Sequence, residues 1–325
     1  MHIQIDDLCD YLNRDHYVKR NVIDVAQLRG GAQKVVYRVS CDDDFTCVLY
    51  VWDDSANYVL GEALGQGPGA DALGASYGAE LFAYNQRYLE NLGVRVPRIF
   101  YMDRSKAKYP FEFALVEDLG NLDLPQYIRC HPETSKNVLE QLSDTVRKMH
   151  FHQYNRYGQL NTIDTNHERQ PPCEQIILNE TMLDLDYLAM HVPEIAENKE
   201  QLAEVLRTLY DAIAPRTEYG LIHGELGPDH VRIDQNGQPV LIDIEGAKFF
   251  DIEYEHSFLD FRFGDNYRYL RFDHLDSDRL RFYRLHLHMS YSSGPLQIIE
   301  RGFPDPAVMR EIARFNVEST LNFLK

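Results

Sequence analysis

Residues 221–246 read LIHGELGPDHVRIDQNGQPVLIDIEG, and the turn at their centre decides how the chain is to be read. Two short runs, Val231-Arg232-Ile233-Asp234 and Pro239-Val240-Leu241-Ile242-Asp243, flank Gln235-Asn236-Gly237-Gln238. Asn-Gly between apolar runs is the strongest short-range signal for a β-hairpin, because both residues tolerate the positive φ of a tight turn. With Asn236-Gly237 as a two-residue loop, cross-strand partners sum to a constant, and His230 falls opposite Asp243. Directly opposed residues of an antiparallel pair have Cα atoms roughly 4.5–5.5 Å apart. The hairpin therefore gathers His230, Asp243 and, shortly before them in the chain, Glu225. An imidazole and two carboxylates held together serve a cation or a proton transfer.

The rest of the composition bounds this reading. The 325 residues allow two compact units at ~150 residues per domain. A hydrophobic content of 44% beside 26% charged residues is that of an ordinary globular protein. No apolar run approaches the ~18 residues that cross a bilayer. The first ten residues carry Asp6, Asp7 and Asp10 rather than a basic segment and an apolar core, so a cytoplasmic location is expected. Cys9, Cys41, Cys47, Cys130 and Cys173 are scattered with no Cys-x-x-Cys pair, which favours reduced structural thiols. Lys plus Arg total 33 against 51 Asp plus Glu, a formal charge of -18. That sign argues against nucleic acid and anionic membrane as partners and favours a cationic small molecule.

Periodicity divides the chain in two. Val22 to Val25, Val35 to Ser40 and Phe45 to Trp52 read as strands, separated by Gly30-Gly31 and by Asp42-Asp43-Asp44. Between Asp53 and Gly78 the chain turns Gly-rich, too poor in apolar side chains to pack a core, and a mobile insertion over 61–78 is expected. Ala79 to Leu92 has a helical period, Pro97 opens an extended segment, and Phe111 to Val116 is a strand running into Glu117-Asp118-Leu119-Gly120. Beyond Pro125 helices dominate: Val138 to His150, Glu174 to Met190, Lys199 to Ile213 and Pro306 to Leu324, the last capped by Asp305. The exception is the hairpin.

This plan and the order of its motifs resemble the aminoglycoside phosphotransferase and choline kinase-like families, which share the two-lobed protein-kinase fold. The match covers most of the chain. Its most specific parts are His223-Gly224-Glu225-Leu226-Gly227-Pro228-Asp229-His230, then Leu241-Ile242-Asp243-Ile244-Glu245-Gly246, then Phe250-Asp251-Ile252-Glu253-Tyr254. The families carry there a His-Gly-Asp-x-x-x-x-Asn loop, an Ile-Asp-Trp/Phe-Glu string and an acidic Asp-Pro-x-x-Asp stretch. The resemblance implies an α+β fold with a small β-rich N-lobe over 1–118 and a larger, mainly helical C-lobe over 119–325, with nucleotide between them. It implies Asp243 as ligand of the Mg²⁺ that bridges the nucleotide phosphates. Glu225 takes the place of the base that accepts the hydroxyl proton, His223 supports its loop, and His230 and Glu245 complete the metal candidates.

Several positions depart from the family pattern. Glu225 is one methylene longer than the usual Asp, and a misplacement of ~1 Å can cost ~100-fold in rate. The imidazole of His230 suits transition metals better than Mg²⁺, which makes Mn²⁺ the other candidate. Where the strand after the Gly-rich turn carries a Lys or Arg for phosphate, this chain has Tyr50. Lys34 or Arg38 on the neighbouring strand is expected to supply that cation, beside Gly30 and Gly31 of the turn. Glu80 matches the acidic partner of the absent Lys. Glu117 and Leu119 match the linker whose backbone binds the adenine or guanine of ATP or GTP. Asp251, Glu253, Glu255 and Asp260 lie where these families receive substrate and are expected to face a cationic acceptor.

Two other patterns carry less. Gly74-Ala75-Ser76-Tyr77-Gly78 fits the nucleophile elbow of α/β-hydrolases, but a Gly- and Pro-rich stretch precedes it instead of a buried strand. Gly65 to Ala70 loosely matches a dinucleotide fingerprint with Pro68 inside it. The sequence thus points to an ATP-dependent phosphotransferase acting on a hydroxyl of an amino-bearing acceptor. The alternatives are a catalytically impaired nucleotide- or metabolite-binding protein of the same fold and, remotely, a serine hydrolase using Ser76.

Overall fold

The computed structural model describes residues 2–14, 19–28, 32–59, 76–165 and 170–325. Gly30, Gly31, the Gly65–Ala70 pattern and most of the Gly-rich stretch fall outside these residues. The chain forms two compact units. One comprises the described residues within Met1–Glu62, Ala75–Val138 and Asp229–Gly246, the other those within Leu139–Pro228 and Ala247–Lys325.

The first unit is built on a five-stranded antiparallel sheet of β1 (Val22–Gln27), β2 (Val35–Cys41), β3 (Thr46–Trp52), β4 (Ile99–Asp103) and β5 (Glu112–Glu117), in the order β1-β2-β3-β5-β4. β3 lies at its centre, buried from Cys47 through Trp52, and its alternate side chains serve two different layers. Cys47, Leu49 and Val51 join the core formed with Ile3, Leu8 and Leu12 of the amino-terminal segment, whose helix α1 spans Ile5–Asn13. Tyr50 and Trp52 face the other way, each with its ring centroid 5.5 Å from Phe82 of α2 (Ala79–Asn91). A strand covered on both sides reads as an unbroken apolar run, which is why Phe45 to Trp52 shows no alternation.

The hairpin pairs β9 (Val231–Ile233) with β10 (Pro239–Leu241), but in a register one residue away from the expected one. Pro239 faces Ile233 and Leu241 faces Val231, so Ile242 comes opposite His230, whose carbonyl it bonds at 3.0 Å. The loop has three residues, with the Gly237 amide bonded to the Asp234 carbonyl and Gly237 at φ 73°, where only glycine is unstrained. Three-residue loops of this kind carry a turn followed by a left-handed residue. Asn236 alone does not reveal which loop length wins.

The expected boundary near residue 118 also shifts. The hairpin stays with the first unit because its edges bond there: the Ile233 amide to the Leu122 carbonyl at 3.0 Å, and the Leu241 amide to Arg95 at 3.0 Å. The short helix α3 (Leu124–Cys130) follows Asp123, which caps it through the Gln126 amide.

The second unit holds most of α4 (Pro132–His150), then α5 (Cys173–His191), α6 (Pro193–Asp211), α7 (Ile252–Phe263), α8 (Ser277–Glu300) and α9 (Pro306–Leu321). A small sheet orders β6 (Gln153–Tyr154), β8 (Tyr219–Ile222), β11 (Lys248–Phe250) and β7 (Gly158–Gln159). β8 is buried at every residue and delivers the chain into His223-Gly224-Glu225. No described helix is long and apolar enough to cross a membrane, and all five cysteines are free thiols.

Candidate functional site

In the first unit a single ammonium organises the charged groups. Lys34, just ahead of β2, places Nζ 2.8 Å from Asp243 Oδ1 and 2.6 Å from Glu245 Oε1. The same nitrogen lies 4.6 Å from the centre of the Tyr50 ring, in cation–π contact. Burial pushes the Lys34 ammonium down, but the two carboxylates more than offset this and hold it well above its ordinary range. Burial likewise drives the Tyr50 phenol up, so it stays neutral. Asp243 follows β10 with φ 55°, a left-handed conformation rare outside glycine. That turn brings its carboxylate back, leaving Oδ2 3.4 Å from His230 Nε2 despite the shifted register. Glu245 is buried, and the backbone carbonyls of Ile244 and of Glu245 itself accept from Asn85 Nδ2 at 2.9 and 3.2 Å.

In the second unit the geometry centres on the loop after β8. His223 is buried, Gly224 has φ 92° and Glu225 is exposed. The amides of His223 and Gly224 both donate to Glu255 Oε1 at 2.9 Å, and His150 Nε2 lies 2.7 Å from Glu255 Oε2. Burial raises the Glu255 carboxyl, but the hydrogen bond from His150 and the loop amides reverse this and keep it below its usual range. The Glu225 amide in turn donates to His223 Nδ1 at 3.4 Å. A fully buried carboxylate thus shapes the loop backbone, while the exposed one is left at its tip.

Residues 48–282 match the model of the phosphotransferase enzyme family, which is more than half of the chain. The chain belongs to that family. Among solved structures of similar fold is a thermostable mutant of the aminoglycoside phosphotransferase APH(4)-Ia in ternary complex with AMP-PNP and hygromycin B. It is 16% identical, has a TM-score of 0.59, and the match covers 96% of this chain and 98% of that one. The choline kinase LicA from Streptococcus pneumoniae gives 14% identity and a TM-score of 0.57, covering 93% and 94%. The GDP and kanamycin complex of APH(2")-IIia gives 15% and 0.59, covering 98% and 97%. No curated protein sequence matches the chain. The kinase-like α+β architecture expected from the motifs is therefore the one observed.

Within this phosphotransferase the expected residues distribute unevenly. Lys34, Asp243, Glu245, His230 and Tyr50 come together as described. Arg38 does not join them: its guanidinium grips both Asp118 oxygens, at 2.7 and 3.0 Å, and Asn121 Oδ1 at 2.7 Å. Glu80 is an exposed carboxylate 3.5 Å from Arg104, at the start of α2 where it meets no Lys of the sheet. Glu117 is bound to Arg95 at 2.5 Å, its amide is bonded to the Arg98 carbonyl at 2.9 Å, and Leu119 is half-buried just beyond. Ser76 precedes α2, and Gly74 and Ala75 fall outside the described residues.

The acidic stretch after the metal candidate is the main correction. Asp251, Glu253 and Glu255 were expected to face an acceptor, yet each is at most 1% exposed. Asp251 accepts from Tyr283 at 2.5 Å and from the buried Arg279, and Arg216 reaches it at 3.2 Å. Arg216 also holds Glu253 at 2.5 and 3.0 Å. These carboxylates pin α7 to its surroundings; charges this deep survive only when paired. Asp260 pairs with Arg284. Cys173, Glu174 and Asp251 also lie close enough to suggest a metal site, but Arg279 occupies that position, near both carboxylates.

Sequence reasoning overlooked Asn85, Glu180, Asp184 and Lys248. Asn85 sits in an apolar helical period, and a buried amide in such a period is the available clue. Burial raises the Glu180 carboxyl to about 7 and that of Asp184 to about 6, and it lowers the Lys248 ammonium.

Proposed function

We propose that the protein transfers the γ-phosphoryl group of ATP or GTP to a hydroxyl of an amino-bearing acceptor. The observation that carries this reading is Lys34 Nζ, held 2.8 and 2.6 Å from Asp243 and Glu245 against the Tyr50 ring. Two carboxylates converge there on one cationic point, the donor set that a hard divalent cation requires, and the ammonium beside them is suited to phosphate oxygens. Asp243 and Glu245 would hold Mg²⁺, and the nearby His230 extends the set toward Mn²⁺. The bound metal supplies charge neutralisation of the phosphates.

The remaining work falls to side chains. Lys34 takes the phosphate-binding duty that Tyr50 cannot perform, since a phenol brings no charge. Glu225, exposed at the tip of a loop clamped by Glu255, orients the acceptor hydroxyl and receives its proton. The bond from the acceptor oxygen to γ-phosphorus forms as the bridging oxygen departs with the nucleoside diphosphate. An amino-bearing acceptor fits the net charge of -18. The hygromycin B and kanamycin carried by structures of similar fold belong to the same class.

The test is nucleoside diphosphate release from ATP and from GTP, with Mg²⁺ and with Mn²⁺, over a panel of amino alcohols. Acceptor-dependent release that disappears in Glu225→Gln is expected. Nucleotide binding without transfer to any acceptor would leave only the binding-protein alternative.

A further inference from the structure

Asn85 is fully buried in the interior of α2, where an amide is a poor helix former and costly to bury without partners. Its Nδ2 donates to two consecutive carbonyls, Ile244 O at 2.9 Å and Glu245 O at 3.2 Å, one for each of its protons. Those carbonyls belong to the two peptide planes that flank the Glu245 Cα. Fixing both planes fixes the two soft dihedrals of Glu245, and with them the direction in which its side chain leaves the backbone. The segment needs such a hold. Ile244–Gly246 is a single 3-10 turn, a form with poor hydrogen-bond geometry, and the chain enters it from Asp243 at φ 55°, a conformation that costs about 1–3 kcal/mol. Phe82, three residues before Asn85 and on the same face of α2, has its ring 5.9 Å from Lys34 Nζ. One helix face thus meets both the ammonium and the turn that carries the Glu245 carboxylate.

We propose that Asn85 is a positioning residue for the metal: it holds the 244–246 turn so that the Glu245 carboxylate is aimed at the site shared with Asp243 and Lys34. This inference rests on the reading of Asp243 and Glu245 as metal ligands. An amide that only glues α2 to the turn contributes to stability and leaves the metal affinity of the folded chain unchanged. An amide that aims a ligand changes that affinity, and groups that orient a metal ligand are worth about 10- to 100-fold in it.

The test is calorimetric and needs no turnover. The better binding of AMP-PNP and GMP-PNP is titrated into the full chain with Mg²⁺ or Mn²⁺ and again with EDTA, and the ratio of the two Kd values measures what the metal adds. Asn85→Leu, close in size and without a donor, should shrink that ratio about tenfold or more while the Kd in EDTA stays within about twofold. Melting temperatures establish that the variant folds, and Asn85→Ala, the better helix former, replaces it if it does not. Glu245→Gln is measured beside it. A ratio that falls in Glu245→Gln but not in the Asn85 variant overturns the positioning role and leaves the ligand reading standing, and so does an Asn85 variant that loses affinity equally with metal and with EDTA. A ratio unchanged in Glu245→Gln, or a wild type to which neither metal adds affinity, removes the ligand reading and the role of Asn85 with it.

Discussion

Replacing Lys34 by Met keeps the apolar stem and deletes the charge, and the structure sets the size of the effect. One nitrogen contacts two carboxylates at 2.8 and 2.6 Å, with the Lys34 and Glu245 side chains 10% and 7% exposed and Asp243 36%. Breaking a fully buried pair costs about 3–5 kcal/mol, because the partner charge is left uncompensated. The solvent at Asp243 screens part of this, so a loss of roughly 2–3 kcal/mol is expected by urea denaturation. The pH dependence has a definite sign. Lys34 is held above its ordinary 10.5, so its contribution is fully present below that value and is lost only as pH rises through the higher folded value. The destabilisation should therefore be the same at pH 6 and pH 8.

The functional consequence is read separately, by calorimetric titration of AMP-PNP with Mg²⁺. Removing one charge-assisted contact to phosphate lowers affinity about 10- to 100-fold. Tyr50 lies in register with Val36 on the neighbouring strand, and its ring is 4.6 Å from the Lys34 nitrogen. The double variant Lys34→Met/Tyr50→Lys should thus return an ammonium to nearly the same place and recover at least about tenfold of the lost affinity. If Lys34→Met folds and binds AMP-PNP within twofold of wild type, the assignment of the phosphate-binding cation is wrong.

Three further perturbations probe the frame. Glu255→Gln removes the charge that both loop amides and His150 contact, and about 3 kcal/mol of stability should go with it, together with a kcat loss larger than any change in nucleotide affinity; an unchanged kcat would show that the loop holds its shape without that charge. Gly220→Ala would place a Cβ 2.5 Å from Ile252 Cγ2 and 2.7 Å from the His150 carbonyl; a drop of about 1–3 kcal/mol is expected, and a neutral effect in urea would mean that β8 can move. Glu180 and Asp184 have folded values near 7 and 6, above their ordinary 4.5 and 3.8, so the native state retains protons that the unfolded chain releases between about pH 4 and 7, and stability falls as pH rises through that window. Glu180→Gln/Asp184→Asn should accordingly stabilise the protein by about 1–3 kcal/mol more at pH 8 than at pH 5, and an equal gain at both would contradict burial as the cause.

What could be read from the sequence follows from where water is excluded without polar partners. Strands β2, β3 and β5 and helix α6 bury side chains that look apolar, and each is evident from its pattern. Helix α7 is invisible to the same reading because it buries Glu253, Glu255, His256 and Ser257 at no more than 1% exposure. Glu253 and Glu255 read as a solvated acidic run until Arg216 and His150, distant in sequence, pair with them. The same blindness misassigned the substrate carboxylates: sequence order places Asp251, Glu253 and Glu255 after Asp243, but only tertiary pairing shows that their charges are already balanced. The cation at Tyr50 had the opposite fate. Alternation along one strand could nominate Lys34 and Arg38 equally, and the choice lay in Asp118, which takes Arg38, and in the left-handed turn at Asp243, which returns a carboxylate to Lys34. Charge balance is a property of the fold, so a sequence names the ionisable groups of a site more readily than it shows which of them remain available for chemistry.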